Sequence, residues 1–398
     1  MKKLKIINFD KAVERSQNLI KQDLQQEYVS LFNSLGRTLA QNITCRKNLP
    51  AFNNAAMDGF AFKHSDSEKV LKIVSTIHAG MSIKPCLGKD ECYKIMTGAK
   101  VPNDADTVIA FENTLDYNKT QIRIEKSSKR RNALRLKGEE QKIGNLLFEK
   151  GIILNSSHIA MLASQGVNTI LVYRKINIAI FSTGNELKEP WEVASDDEIY
   201  NANSSALLSL LHEHGFEANY CGVIPDNLEE SIKYFKNMHH YDAIVTTGGI
   251  SVGEADFIEE ALKINGFKEF FHGINIKPGR PTMMGIMRDT LVSSMPGNPL
   301  AAYVNAFLFL IPALKNLQGI KRVKHEKVLV KNLEEFEVKA GRVNIVLGHL
   351  KEHKFKVFEQ NRYDSGMITP IVKSNAILIT TENQSKIEKN TDIEVILF

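Results

Sequence analysis

The stretch IVTTGGISVGEAD, Ile244–Asp256, decides the fold prediction. Its first four residues continue an apolar, β-branched run from Ala243, which predicts a buried strand. Gly248 and Gly249 then open a loop, and an apolar helical pattern begins at Phe257. At such a junction, backbone N–H groups and the positive end of the helix favour a bound anion. Glycine pairs also mark ordinary turns, so this loop alone is compatible with a ligand site and with a purely structural turn.

Predicted strands and helices alternate on both sides of this stretch, from residue 176 to residue 316. Three further strands are predicted to end in polar loops: TGNE at 183–186, PDN at 225–227 and MPGNP at 295–299. This alternation predicts βαβ units and a parallel sheet, in which the carboxyl ends of the strands share one edge and bind ligands there. We therefore expect all four loops to face one cleft. Three carboxylates would reach it from separate loops: Glu186, Asp226 and Asp256.

Lys277 and Arg280 lie on the turn IKPGRP, residues 276–281, between the last two predicted strands. Paired cations beside carboxylates suit a phosphate bridged by Mg²⁺, because the metal binds carboxylate oxygens while Lys or Arg binds the phosphate. Each cation taken alone is also compatible with an ordinary surface charge.

The segments around this α/β region are predicted to form smaller domains. Helices are predicted over residues 10–40 and around 156–166, the second with Ser156 or Ser157 as N-cap and Gly166 as its stop. Short β runs are predicted over 70–125 and after residue 318. The predicted class is a multidomain α/β and β protein. Its domains would be a discontinuous helical linking domain at 1–45 and 136–172, an inserted β domain at 46–135, the α/β domain at 173–317 and a C-terminal β domain at 318–398.

Two loops of the inserted β domain contain polar residues. Asp58 lies in the turn-rich stretch 48–62, and Thr97 lies in the loop 96–106 between predicted strands. Ordinary turn residues are a sufficient explanation of each loop when it is considered alone.

Composition limits the functional classes. The chain has 398 residues, 43% of them hydrophobic and 24% charged, with a formal net charge of +5, as in ordinary soluble proteins. The densest basic stretch, 126–137, has no interleaved aromatic residues, so we expect no nucleic-acid partner. The longest apolar run, 301–314, would span about 21 Å as a helix, which is too short for a membrane of about 30 Å. Four cysteines without a CxxC pair, and a start without an apolar signal region, predict a cytoplasmic protein.

Taken together, the motifs resemble a known family, the molybdopterin molybdenumtransferases, which include MoeA and the gephyrin E domain. The motifs that carry the resemblance are, in order, PAFNNAAMDGFAF, IMTGAKVPNDADTVIAFE, RLKGEE, FSTGNEL, VIPDN, TTGGISVGEAD, IKPGRP and SMPGNP. The resemblance covers nearly the whole chain. It implies four subdomains, one of them with the molybdopterin-binding fold, and an elongated homodimer with active sites between protomers.

The implied reaction inserts molybdate into the dithiolene of adenylylated molybdopterin, and hydrolysis of the adenylate releases AMP. The implied partners are a second protomer, the adenylyltransferase and molybdoenzyme apoproteins. Residues with an implied catalytic role are Asp58, Thr97, Glu186, Asp226, Asp256 and Lys277, and the implied Mg²⁺ ligands are Glu186, Asp226 and Asp256. Residues with an implied role in binding the pterin ligand are Gly248, Gly249, Ser251, Gly253, Arg280, Pro296, Gly297, Asn298, Arg135, Arg342 and Ser365.

Three positions depart from the family pattern. Gly273 stands where the family often has Lys or Arg, Glu140 replaces an Asp, and Leu347 stands where some members have a second Arg. Arg280 is a candidate replacement for the cation absent at Gly273. Two alternative functions also fit the sequence: adenylylation of molybdopterin, and a gephyrin-like scaffold with little catalytic role. The additional β domain argues against the first, and the retained carboxylates argue against the second.

Overall fold

A computed structural model describes residues 5–18, 24–124, 129–225, 227–250 and 257–398. The chain forms two compact units. The first unit comprises residues 1–41, 150–159 and 168–398, and the second unit comprises residues 42–149 and 160–167. The boundaries of the four predicted domains remain a prediction, because a division into two units does not test them.

The described residues form helices and strands with the following bounds. The helices are α1 (Phe9–Gln17), α2 (Ser156–Ser164), α3 (Ala202–Glu213), α4 (Leu228–Lys236), α5 (Phe257–Ile264), α6 (Pro299–Asn305), a π-helical segment (Ala306–Leu310), α7 (Ile311–Leu317) and α8 (Thr369–Val372). The strands up to residue 200 are β1 (Gln26–Ser30), β2 (Ile43–Thr44), β3 (Asn54–Ala55), β4 (Gly59–Phe62), β5 (Val70–Ile77), β6 (Glu91–Ile95), β7 (Thr107–Ala110), β8 (Thr114–Tyr117), β9 (Gln121–Ile124), β10 (Leu134–Arg135), β11 (Leu146–Phe148), β12 (Thr169–Tyr173), β13 (Ile178–Thr183), β14 (Leu187–Lys188) and β15 (Ile199–Tyr200). The later strands are β16 (Ala218–Ile224), β17 (Ala243–Thr247), β18 (Phe267–His272), β19 (Ile276–Lys277), β20 (Met283–Met287), β21 (Thr290–Met295), β22 (Lys327–Asn332), β23 (Phe336–Glu337), β24 (Val343–Lys351), β25 (Lys354–Val357), β26 (Ala376–Ile379), β27 (Lys386–Ile387) and β28 (Asp392–Leu397).

The centre of the first unit is a six-stranded sheet in the order β16-β13-β17-β21-β20-β18. Its first four strands are parallel, as predicted. The edge pair β20 and β18 is antiparallel and was not predicted. Every residue of β13, β17 and β21 is buried, because helices cover both faces of the sheet. Helix α3 and the helix that begins at Pro299 pack on one face, and α4 and α5 pack on the other.

The segments α6, Ala306–Leu310 and α7 follow one another as one apolar helix, Pro299–Leu317. Within the part of the chain that the structure describes, this is the one helix whose length and composition would allow it to cross a membrane. The protein buries 83% of its most apolar window, and its side chains belong to the largest apolar core. The helix is longer than the predicted apolar run, 301–314, so its burial, and not its length, identifies it as a core helix.

The C-terminal part of the first unit is a small barrel. Strands β24, β25, β22, β28 and β26 are hydrogen-bonded in that order, and β26 also pairs with β24, which closes the ring. Its interior is apolar. Strand β19, which begins the IKPGRP turn, pairs with β24, so the turn is tied to the barrel.

The second unit contains a six-stranded sheet in the order β7-β4-β6-β5-β9-β8. Strand β4, Gly59–Phe62, lies between β7 and β6 and is wholly buried, so a mere surface turn at Asp58-Gly59 is the wrong interpretation. A Cβ on Gly59 would lie 1.9 Å from the carbonyl oxygen of Ile109. Glycine at this position therefore allows the close approach of β7.

Two predicted helical features differ in the structure. Among the described residues of the range 10–40, where one long helix was predicted, the α-helix is α1, and Gln26–Ser30 instead pairs with β12 as a strand. The apolar spacing was misleading, since Tyr28 is 71% exposed. At the start of α2, Asn155 Oδ1 accepts a hydrogen bond from the His158 N–H at 3.0 Å, so Asn155 caps this helix rather than Ser156 or Ser157. Gly166 follows the helix in the left-handed conformation, as expected of a stop.

Candidate active site

A cleft of about 860 Å³ lies at the carboxyl edge of the central sheet. Three of the four predicted loops line it, namely the loops after β13, β17 and β21. The lining also includes the second half of the IKPGRP turn, the start of α3 and a segment near residue 365. Predicted site residues along this cleft are Glu186, Gly248, Gly249, Arg280, Pro296, Gly297, Asn298 and Ser365. The fourth predicted loop, PDN at 225–227, contributes none of its described residues to this lining.

Gly248 and Gly249 form a tight turn in the wall of the cleft. Their φ angles are +83° and +66°, which residues with a side chain rarely adopt. A Cβ on Gly248 would lie 2.6 Å from Thr183 Oγ1, and one on Gly249 would lie 2.6 Å from Ile258 Cγ1. The N–H of Gly248 donates to the carbonyl oxygen of Met295 at 3.0 Å. Backbone conformation and close packing thus both require glycine here.

Ser365 reaches the cleft from the C-terminal part of the chain. Asn298 Nδ2 donates to Ser365 Oγ at 2.7 Å, and the N–H of Leu300 donates to the Ser365 carbonyl oxygen at 3.1 Å. From the opposite side, Asn203 Nδ2 donates to the Gly297 carbonyl oxygen at 2.7 Å. The loop before the long helix is therefore held between α3 and the segment of Ser365.

A buried polar network supports the cleft beside α3. Asn201, the N-cap of α3, accepts from the Ser204 N–H at 3.2 Å and donates to the Tyr220 hydroxyl at 2.9 Å. The Tyr220 hydroxyl donates to the carboxylate of Glu189. Burial, followed by this carboxylate, raises the pKa of Tyr220 to about 12, so the phenol keeps its proton at neutral pH. Asn201 and Asn203 were missed as site residues, although an asparagine directly before a helical pattern is a capping signal.

The IKPGRP turn presents its two cations to neighbouring pockets. Arg280 is exposed and lines the cleft. Lys277, also exposed, lines an adjoining pocket of about 150 Å³ together with Asn344 and Ser365. Ser365 lines both spaces, so the two cations line neighbouring pockets.

Gly279 and Asn305 fix the shape of this turn. Gly279 has φ +96°, and a Cβ there would lie 1.6 Å from Asn305 Nδ2. Asn305 is fully buried, and its Nδ2 donates to the Gly279 carbonyl oxygen at 3.1 Å and to Thr282 Oγ1 at 2.8 Å. The turn therefore rests on a side chain of the core helix.

Glu186 is the one of the three predicted metal-binding carboxylates that lies within the described residues. Its side chain is exposed in the cleft, and its Oε2 would lie 2.7 Å from a Cβ on Gly184, so the carboxylate folds back over the TGNE loop. In the described part of the chain, Glu186 forms no ion pair. The other predicted residues of these loops lie outside the described residues: Asp226, Asp256, Ser251 and Gly253.

Asp58 and Thr97 meet in the second unit. Asp58 Oδ1 accepts from the Thr97 N–H at 2.6 Å and from Thr97 Oγ1 at 2.7 Å. These bonds lower the pKa of Asp58 below its ordinary value, and the bond from the Thr97 backbone N–H has the larger effect. An exposed carboxylate that two donors hold in one orientation is therefore ionised at neutral pH. Arg135 lies in β10 of the same unit, and its backbone pairs with Asn54.

Two further predictions meet structural limits. Gly273 is buried and has φ +102°, so a lysine placed there to restore a family cation would be strained. Arg342 precedes β24, and its carbonyl oxygen accepts from Asn344 Nδ2 at 3.1 Å. Arg342 lines neither pocket in the described part of the chain.

Comparison with known proteins gives the family. The MoeA N-terminal region (domain I and II) matches residues 7–166, the probable molybdopterin binding domain matches 179–316, and the MoeA C-terminal region (domain IV) matches 330–398. A molybdopterin molybdenumtransferase of Staphylococcus aureus (strain COL) is 31% identical over 316 residues, which is 77% of this chain and 75% of that protein. The chain belongs to the MoeA family of molybdopterin molybdenumtransferases.

Other MoeA relatives match along almost the full length. A molybdopterin molybdenumtransferase of Staphylococcus epidermidis (strain ATCC 35984) is 29% identical over 403 residues, covering 98% of this chain and 95% of that protein. The crystal structure of the molybdopterin biosynthesis moeA protein from Pyrococcus horikoshii OT3 superposes with a TM-score of 0.85 at 25% identity, covering 99% of this chain and 100% of that one. The MoeA architecture, with N-terminal, molybdopterin-binding and C-terminal parts, therefore extends over the whole chain.

Proposed function

We propose that this chain catalyses the metal-insertion step of molybdenum cofactor biosynthesis. It inserts molybdate into the dithiolene of adenylylated molybdopterin, and the adenylate is hydrolysed with release of AMP. The observation that carries the proposal is the cleft at the carboxyl edge of the sheet, where several anion-binding elements converge beside a small pocket that contains a lysine.

The cleft suits a phosphorylated ligand. Helix α3 begins at Ala202 and the long helix begins at Pro299, and both first turns line the cleft. The N-termini of helices favour bound phosphate through their N–H groups and their partial positive charge. Arg280 adds a full positive charge, and the turn at Gly248 lets a ligand come close to the backbone. These elements would hold the diphosphate that links molybdopterin to AMP.

The adjoining pocket suits the oxyanion substrate. Its volume of about 150 Å³ is small, and its lining includes the ammonium-bearing Lys277 and the hydroxyl-bearing Ser365. These groups are donors for a tetrahedral oxyanion such as molybdate. Asp364 also lines the pocket, and its Oδ1 already accepts from the Gly366 N–H at 2.9 Å. Lys277 would therefore bind molybdate next to the dithiolene of the pterin.

A magnesium ion is part of the proposal, and Glu186 is its candidate ligand within the described residues of this cleft. Glu186 offers carboxylate oxygens without an ion pair in the described part of the chain, and such oxygens are the ligands that Mg²⁺ prefers. Asp226 and Asp256 would complete the set from the neighbouring loops. When bound, the ion would neutralise charge on the phosphate groups. Glu186 would keep it on the side of the cleft next to the glycine turn.

The second unit contributes a further carboxylate to the proposal. Hydrogen bonds from Thr97 keep Asp58 ionised and in one orientation. A residue that accepts a proton or orders a water molecule needs both properties. We include Asp58 and Thr97 among the catalytic residues, and Arg135 and Arg342 among the residues that bind the pterin ligand.

The protein is also proposed to act as a cytoplasmic homodimer. Apolar side chains are exposed near the N-terminus of the first unit, with Phe32 92% exposed and Leu35 63% exposed, and a second protomer would cover such residues. The four cysteines are unpaired, as in a reducing compartment. The adenylyltransferase would supply the substrate, and molybdoenzyme apoproteins would receive the product. Light scattering that shows only a 44.8 kDa species at micromolar concentration would contradict the dimer.

The direct test supplies purified protein with adenylylated molybdopterin, Mg²⁺ and molybdate, and follows AMP by chromatography. We expect AMP release that requires molybdate, and slower release by the Lys277→Ala variant at low molybdate. Adenylylation of free molybdopterin with ATP, without metal insertion, would favour the adenylyltransferase instead. Binding of molybdopterin without any turnover would favour the scaffold.

A further inference from the structure

His272 is a buried histidine behind the wall of the cleft. It is not among the predicted site residues. It ends β18, and its side chain is 7% exposed. Its Nε2 lies 3.3 Å from the carbonyl oxygen of Ile250, and its Nδ1 lies 3.4 Å from Glu259 Oε2. Glu259, in the first turn of α5, is also buried. The ring thus lies between Ile250, the residue that follows the glycine pair, and helix α5, which packs on one face of the sheet.

Both ring nitrogens of His272 face hydrogen-bond acceptors. A carbonyl oxygen only accepts, so the Nε2 that faces Ile250 carries a hydrogen. Glu259, on the other side of the ring, is itself ion-paired with Lys263. The ring therefore lies between α5 and the carbonyl group of Ile250.

The same side chains form a candidate metal cluster. Glu259, Glu269 and His272 each offer one ligand atom, and these atoms lie within 4.8 Å of one another. Glu269 is exposed, whereas Glu259 and His272 are buried. His272 Nε2 bonds to the Ile250 carbonyl oxygen and Glu259 is ion-paired with Lys263, so both buried members already have protein partners.

The bond to Ile250 completes the support of the glycine turn. At the entry of the turn, the Gly248 N–H donates to the Met295 carbonyl oxygen. At its exit, the Ile250 carbonyl oxygen accepts from His272. Between these two anchors both glycines have positive φ angles, so each anchor restrains a turn that has few conformational restraints of its own.

We propose that His272 is a positioning residue for the reaction: it holds the Gly248–Ile250 turn in the shape that receives the pterin ligand, and Glu259 orients its ring. This inference rests on the proposed function for its kinetic readout. The residue acts through the backbone of the turn and touches no reacting atom.

Two substitutions separate this role from general structural support. Glutamine at 272 places an amide donor near the Nε2 position and keeps the bond to Ile250, whereas asparagine places its donor near Nδ1 and loses that bond. We expect His272→Asn to raise the KM for adenylylated molybdopterin about tenfold, the effect of one lost buried hydrogen bond. We expect His272→Gln to stay within about twofold of the natural protein by the same reasoning. His349→Asn, on an exposed position of β24, is the matched control and should change neither KM nor kcat.

The outcomes that contradict the inference are distinct. Equal losses in His272→Asn and His272→Gln, in parallel with their fraction folded, would make His272 structural only. Zinc that copurifies with the natural protein and is lost from His272→Asn would make the cluster a metal site. Nitrogen NMR of the histidine rings tests the bond to Ile250 without any turnover, and a His272 ring without a hydrogen on Nε2 would overturn the inference. If the natural protein releases no AMP, the proposed function fails, while this spectrum still decides the state of His272.

Discussion

Gly279→Ala is expected to be one of the most damaging single-methyl changes near the site. The added Cβ would lie 1.6 Å from Asn305 Nδ2, at a residue with φ +96°. The side chain of Asn305 therefore has to leave its position. Its bonds to the Gly279 carbonyl oxygen and to Thr282 Oγ1 would then be lost, and the turn that carries Lys277 and Arg280 would lose its support.

The expected loss of stability is the sum of two effects. Alanine in the left-handed region costs about 1–2 kcal/mol. Loss of two buried hydrogen bonds adds about 1–1.5 kcal/mol each, which gives a total of about 4 kcal/mol. Gly341→Ala is the matched control, because Gly341 has φ +87° and no atom within 4 Å of its Cβ position. The control should therefore show only the backbone cost.

Urea denaturation of the natural protein and the two variants measures this difference. We expect the midpoint of Gly279→Ala to fall well below that of Gly341→Ala, together with a rise in the KM for adenylylated molybdopterin that the control does not show. Adding Asn305→Ala to Gly279→Ala should cost less than Asn305→Ala costs in the natural protein, because the displaced amide no longer makes these two hydrogen bonds. Equal midpoints for the two glycine variants would refute the packing argument.

Three other predictions concern binding and pH. Lys277→Ala should weaken molybdate binding about ten- to a hundredfold, measured by titration calorimetry, and Arg280→Ala should weaken molybdopterin binding similarly only if Arg280 meets the diphosphate. Thr97→Val removes one of the two bonds that lower the pKa of Asp58, so the acid limb of the pH–rate profile should move to higher pH; an unmoved limb would remove Asp58 from the titrating groups. Burial lowers the pKa of His325 to about 4, below the unfolded value of about 6.5, so the unfolded state binds more protons and stability falls as pH drops through this window. His325→Gln should reduce that fall by about 3 kcal/mol, and an unchanged pH dependence of unfolding would contradict it.

The sequence predicted the parallel strands and their loops because buried strands are short apolar runs that end in polar turns. Ala243–Thr247 and Ala218–Ile224 were predicted with the bounds that the structure has. The antiparallel edge strand Phe267–His272 was missed. Its mixed pattern, with buried and exposed residues, gives neither a continuous apolar run nor a clean alternation.

Other features depend on tertiary contacts that no local pattern contains. Tyr28 and Leu35 have helical spacing but are exposed, because the segment pairs with β12 instead of forming a helix. The sequence left an ordinary turn open as the explanation of Gly59, whereas the close approach of Ile109 requires glycine there in a buried strand. His272 gave no signal, since its role depends on a carbonyl group that lies 22 positions away in the chain.

The candidate site was predicted from the order of its motifs and from family resemblance. The cleft residues from Glu186 to Ser365 lie together because the barrel and the sheet are joined through β19 and β24. The polar support beside α3 was not predicted, because the bond between Asn203 and Gly297 joins residues 94 positions apart.

A single-turnover assay of metal insertion tests the central claim most directly. Enzyme in excess over adenylylated molybdopterin is mixed with Mg²⁺ and molybdate, and AMP and molybdenum-containing cofactor are quantified in the same samples. The proposed function predicts equal amounts of both products, formed with the same time course, and no AMP when molybdate is omitted. AMP released at the same rate without molybdate, or cofactor formed without AMP, would contradict it.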